Sequence, residues 1–127
     1  MIEQLRTFKT NTLAFEVIES FTETGEKLAQ KFFQEKVDSG YETVNLLVKI
    51  DELKVSKMEA KAFFEDIIFV IRKFKHLGNL AIVAHSKILK ALVPIDNFFF
   101  ERLKNGQKEQ YFDVSQLDEA YKFVTEN

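Results

Sequence analysis

SKMEAKAFFEDIIFVIRKFKHLGNLAIVAHSK, residues Ser56 to Lys87, decides the fold. Ser56-Lys57-Met58-Glu59 has the spacing of a capping box, in which the Ser hydroxyl accepts the N3 amide proton and the Glu reaches back to the cap. From there Ala60, Phe63, Phe64, Ile67, Ile68, Ile71 and Phe74 follow the three-and-four spacing of a core-facing helical stripe, which Phe69 and Val70 widen beyond one face. Lys73, Lys75 and His76 crowd the last turn, where cations complement exposed carbonyls, and Gly78 is expected to take the left-handed cap. Leu80-Ala81-Ile82-Val83-Ala84 is continuously apolar, as in a parallel strand covered on both faces, and is expected at the centre of the sheet. A capped helix passing through a glycine into such a strand is one turn of a parallel α/β sheet.

Working outward, Ile2 to Phe8 and Leu13 to Ile18 read as an antiparallel hairpin around Lys9-Thr10-Asn11, with Leu13, Phe15 and Val17 on one face. Thr24-Gly25-Glu26-Lys27 opens a helix carrying Leu28, Phe32 and, one row over, Ala29, Phe33 and Val37, and Asp38-Ser39-Gly40 ends it. Glu42 to Ile50 is a mostly buried strand. Beyond the central strand, Ile88 to Val93 begins a helix that Pro94 breaks or kinks before Ile95 to Leu103 resumes it, and Asn105-Gly106 ends the element. Glu109 to Val114 is the last strand, and Ser115 to Val124 the last helix, with Leu117, Ala120, Tyr121 and Val124 inward.

Composition bounds the rest. At 127 residues the chain has the size of one domain, read here as residues 1–127, and buries roughly two thirds of its unfolded surface. Lys and Arg number 18 against 20 Asp and Glu, with the signs interspersed, so nothing is built to hold a nucleic-acid backbone. The absence of Cys excludes disulfides, thiol catalysis and Cys-ligated zinc. MIEQLRTFKT lacks the apolar core of a signal peptide, and no apolar run approaches the roughly 18 residues of a membrane helix; a soluble cytoplasmic protein is expected. Fourteen Phe beside no Trp specify greasy packing, a greasy ligand or a greasy partner surface, with core packing the default.

In open parallel sheets ligands collect beyond the carboxyl ends of the strands, here Asp51 to Ser56, His85 to Lys87 and Asp113 to Ser115. His85 and Ser86 with Asp51 or Asp113 invite a nucleophile-and-base reading, but no Gly-rich elbow surrounds Ser86, which reads better as a helix cap. Glu65 and Asp66 diverge around their helix, and two histidines at opposite ends of one helix-strand unit do not make a zinc site; no catalytic residue, metal or cofactor is implied. Phe98-Phe99-Phe100 cannot all face inward on one helix, so at least one is expected exposed or in a cavity. With Lys87, Lys90, Arg102 and Lys104 nearby, that element would rest on a membrane surface, gate an apolar pocket, or pack on its own sheet or a second copy in a homodimer.

The hairpin NTLAFEV (Asn11 to Val17), AFFED (Ala62 to Asp66), KHLGNLAIVAHSK (Lys75 to Lys87) and YFD (Tyr111 to Asp113) resemble the corresponding blocks of the bacterial SpoIIAA-like proteins, relatives of the STAS and CRAL-TRIO domains. The resemblance implies a STAS-type α/β fold: a mixed sheet of four or five strands, an N-terminal antiparallel hairpin followed by parallel strands alternating with about four helices, and a small apolar groove. STAS anti-sigma-factor antagonists carry a phosphorylated Ser in an Asp-Ser-small-Gly turn; here the region is Asp51-Glu52-Leu53-Lys54-Val55-Ser56, without the Asp-Ser pair or the Gly. Phe64 stands where many relatives have Trp.

The expectation is a non-enzymatic domain binding an apolar small molecule or lipid, with Phe63, Phe64, Phe98, Phe99 and Phe100 as lining and with peripheral membrane contact as one consequence. The competing expectation is a STAS-type regulatory module with a protein partner, in which Asp51, Ser56, His85 and Ser86 form a switch or rim.

Overall fold

The computed structural model describes residues 2–6, 8–18, 23–50, 62, 65–67, 69–71, 73–85, 89, 99–100 and 108–125. The strands are β1 (Ile2–Arg6), β2 (Thr12–Val17), β3 (Val44–Ile50), β4 (Leu77–Ala84), β5 (Phe99–Phe100) and β6 (Glu109–Asp113). They form one mixed sheet in the order β1-β2-β3-β4-β6-β5. β1 and β2 pair antiparallel; β2, β3, β4 and β6 are parallel neighbours, and the two-residue β5 adds antiparallel to β6. This is the expected STAS-type α/β sheet, five full strands with a short sixth at one edge.

Every residue of β4 is buried, as a strand covered on both faces requires. Leu80, Ile82 and Ala84 join Leu46, Val48 and Ile50 of β3 and Leu13, Phe15 and Val17 of β2 on one face. The first helix (Glu23–Asp38) covers that face through Ala29 and Phe33, and the helical positions between 62 and 71 through Ile67 and Ile71. The opposite face, with Ala14, Leu47, Ala81, Val83 and Phe112, is covered by Ala120 and Val124 of the last helix (Leu117–Thr125). Each fully buried Leu, Ile, Val or Phe contributes about 1.5–3 kcal/mol. The two-residue period of the strands sends alternate side chains to the two cores.

Polar residues tie the amino ends of the parallel strands to the last helix. Asn45 Nδ2 donates to the Val124 carbonyl at 2.9 Å, and Thr12 Oγ1 donates to the same carbonyl at 3.0 Å. A carbonyl in the final turn of a helix has no intrahelical partner, so these bonds satisfy a group that burial would otherwise penalise. Asn45 Oδ1 accepts the Asn79 amide proton at 2.8 Å, and Asn79 Oδ1 accepts that of Lys108 at 3.1 Å. Here the β3–β4 register slips: Val44 faces Leu77 but Leu46 faces Leu80, so Gly78 and Asn79 oppose the single Asn45.

At the hairpin, Lys36 Nζ donates to the Phe8 carbonyl at 2.6 Å and to the Thr10 carbonyl, with the Tyr41 ring 5.9 Å away. Partial burial holds this ammonium below its usual pKa. Arg6 stacks 5.0 Å from the Phe8 and Tyr121 ring centroids, closing the hairpin onto the last helix.

Four expectations are corrected. The left-handed residue after the helical positions is His76, at φ 67°, while Gly78 lies inside β4, which begins at Leu77 instead of Leu80. Gly78 is needed for close approach: a Cβ there would collide with Asn45 Oδ1. Leu28 is exposed; Ala29 and Phe33 carry the inward row of the first helix. Residues 99–100 are strand, not resumed helix, because the outer edge of β6 offers backbone partners opposite Gln110 and Glu109. The last helix is preceded by a 3₁₀ turn over Val114–Gln116 that Asp113 caps. Gly40 does end the first helix in the left-handed region, at φ 104°.

Candidate functional site

At the carboxyl ends of the strands the expected rim is only partly in view. Asp51, Ser56 and Ser86 lie outside the described residues, as do Phe63, Phe64 and Phe98. Phe99 and Phe100 are described by their backbone alone, on the edge of the sheet. His85 follows β4 half-buried; its carbonyl accepts the Leu89 amide proton at 3.1 Å, and its Nδ1 is buried with no partner among the described residues. Asp113 is committed locally: Oδ2 accepts the Ser115 amide proton at 3.0 Å and the Ser115 hydroxyl at 2.6 Å, while Gln116 completes a capping box. Among the described residues no three His, Asp or Glu side chains are grouped to hold a metal. No helix among them is long and apolar enough to cross a membrane.

A concave site lies instead on the helical side, at the amino ends of the strands. A groove of about 420 Å³ runs between the first helix and the end of the helical segment that precedes β4. Its floor is Phe33 against Phe74, edge to face with centroids 5.3 Å apart, extended by Val37 and Val70. Glu26, Gln30 and Gln34 form the wall on the first helix; Lys73, Lys75 and His76 form the other. This volume falls within the range of small-molecule sites, roughly 300–1,000 Å³.

Beneath the floor the described residues pack closely. The gap bounded by Ile2, Phe15, Val17, Ala29, Leu46, Val48, Ile71 and Phe74 holds only about 10 Å³, less than one water comfortably needs.

The cationic wall is shaped by the helix ending. Lys73 and Phe74 amides donate to the Val70 and Ile71 carbonyls at 3.1 and 3.0 Å, tightening the last turn. His76 then turns left-handed, its carbonyl accepts the Val44 amide proton at 2.8 Å, and its Nδ1 lies 3.1 Å from the Glu42 carbonyl. Lys73 Nζ sits 4.0 Å from the Phe69 ring centroid on the outer face, where Phe69 is 60% exposed. On the facing wall, Gln30 Nε2 donates to Glu26 Oε1 at 3.4 Å, and Gln34 Nε2 to Asp38 Oδ1 at 2.8 Å.

Of these lining residues the sequence shows the aromatic character and the cation cluster, but not that they share a groove. Gln30, Gln34 and Glu26 have the spacing of an ordinary solvated helix face, and Lys73, Lys75 and His76 that of a helix-end cation cluster. What joins them is a groove shared by two segments that are some forty residues apart in the chain.

The searches of curated proteins and of solved structures each returned no match. The family model of the SpoIIAA-like proteins matches residues 12–125, from the first residue of β2 to the last residue of the final helix. With that match spanning most of its length and a mixed α/β sheet to go with it, the chain belongs to the SpoIIAA-like family.

Proposed function

We propose that residues 1–127 form one non-catalytic binding domain that takes an apolar small molecule or lipid in the groove between the first helix and the segment preceding β4. The observation that carries the reading is the Phe33–Phe74 floor of a groove of about 420 Å³, open to solvent above closely packed residues. An apolar chain laid on that floor removes aromatic surface from water at about 25 cal/mol per Å². Phe63 and Phe64 enter the proposal as further lining, and Phe98, Phe99 and Phe100, the last two on the far edge of the sheet, as a separate apolar contact for the same class of ligand. The test is native mass spectrometry of gently purified protein, then titration of delipidated protein with decanoate. Bound ligand that is lost in a Phe74→Ala variant supports the reading; delipidated protein that takes up neither fatty acid nor phospholipid overturns it.

A second reading, a STAS-type regulatory module with a protein partner, draws on Phe69, a large aromatic residue held outward on the helical surface. In that reading modification of Ser56 or Ser86 adds charge and changes partner choice. A Ser56→Asp variant with unaltered partner binding counts against it. The same native spectrum reads subunit number, and a ligand-free homodimer shifts the balance toward this second reading.

A further inference from the structure

Two features meet at one end of the groove. The first is its charge: Lys75 and His76, both exposed, stand on one wall at the closed turn, while on the facing wall the Gln34 amide is bonded to the Asp38 carboxylate at 2.8 Å, and the acid of the lining, Glu26, lies two helical turns away along the first helix. At 1.5 Å per residue, the eight residues from Glu26 to Gln34 separate the two ends by about 12 Å. The second is His76 itself. It is the one non-glycine residue with positive φ among those described, at 67°, a conformation that glycine adopts more readily than an L-residue.

The carbonyl ends of the two helices converge here, and their partial negative charge accounts for cations in general. Asparagine, aspartate and histidine are the side chains enriched at left-handed positions, and of these three histidine alone brings no oxygen that would repel an anion. The ring is also held: with its Nδ1 tautomer it donates to the Glu42 carbonyl, 3.1 Å away, leaving Nε2 as the ring atom for a ligand.

We infer that the ligand of the groove is an amphiphile with an anionic head, carboxylate or phosphate, and that His76 with Lys75 is the head-group site, the apolar body lying on Phe33 and Phe74. This inference rests on the groove reading given above. Lys73 is a lesser contributor, since its ammonium is already held over the Phe69 ring.

The experiment titrates delipidated full-length protein with decanoate, decyl phosphate and decanol in one buffer. Both acids should bind about tenfold or more tighter than the alcohol, the worth of a charge-assisted hydrogen bond, and the better of the two identifies the head. His76→Gly keeps the left-handed backbone and should erase most of that preference while leaving decanol binding unchanged. Lys75→Gln, at an exposed position, should reduce it several-fold and serves if the glycine variant does not fold. Equal binding of alcohol and acids, or a preference that survives both variants, overturns the head-group site while leaving the groove standing. Binding of none of the three overturns both.

Discussion

The side-chain amide of Asn45 occupies the space beside Gly78 that a β-carbon would need, and from there it bonds Asn79 on the neighbouring strand and Val124 at the end of the last helix. One residue thus satisfies an amide left over by the β-bulge and a carbonyl left over by a helix terminus. The absence of a side chain at Gly78 is the condition for both.

Replacing Asn45 with Ala leaves the Asn79 amide without its partner and the Val124 carbonyl with Thr12 alone. Burial of a polar group stripped of its bond costs about 1–3 kcal/mol, so Asn45→Ala should lose about 3 kcal/mol in all, read as a lower urea midpoint at unchanged slope. Gly78→Ala should cost about 2–3 kcal/mol by forcing the amide away. Because the collision is with the Asn45 side chain, adding Gly78→Ala to Asn45→Ala should cost less than it does alone. Simple additivity in this double-mutant cycle would refute the coupling.

His76→Gly should stay within about 1 kcal/mol of wild type, relief of the left-handed backbone being set against loss of the Glu42 contact. His76→Val places a β-branched side chain at φ 67° and should be about 2 kcal/mol less stable than the glycine variant. Thermal melts of the two variants side by side check the order.

Burial raises the Tyr121 pKa above its ordinary 10.0, with the nearby Arg6 charge opposing. Between 10.0 and the folded value the native tyrosine keeps its proton while the unfolded chain releases it. The native state then binds more protons, so this group's contribution to stability is full below 10.0 and falls as pH rises past it. Tyr121→Phe should flatten the alkaline decline of the urea midpoint; an unchanged decline would assign it to other groups.

Lys36→Met removes two hydrogen bonds to the carbonyls of Phe8 and Thr10 while keeping most of the stem. The expected loss is about 1 kcal/mol, concentrated in the hairpin, with faster amide hydrogen exchange in β1 and β2 and little change in β4.

Much of the fold was legible because it depends on periodicity. The apolar run Leu80 to Ala84 announced a strand covered on both faces, and it is the buried interior of the sheet. Leu13, Phe15 and Val17 announced their common face, and Ala120 and Val124 the inner side of the last helix. Phe99 and Phe100 were misread because aromatic residues in a row beside a proline fit a broken helix as well as an edge strand. The free edge of β6 decided between them.

Of the candidate site, the sequence by itself supplied the aromatic surplus, the cation cluster at Lys73, Lys75 and His76, and the resemblance that the family match over residues 12–125 bears out. Which residue turns left-handed was decided by tertiary structure, because the contest between His76 and Gly78 is settled by the Asn45 amide lying against β4 and not by local preference. The groove was decided there too. Local sequence dictates which face of a helix is apolar, but a groove is the space between two helices, and its walls come from residues that only the parallel sheet brings side by side.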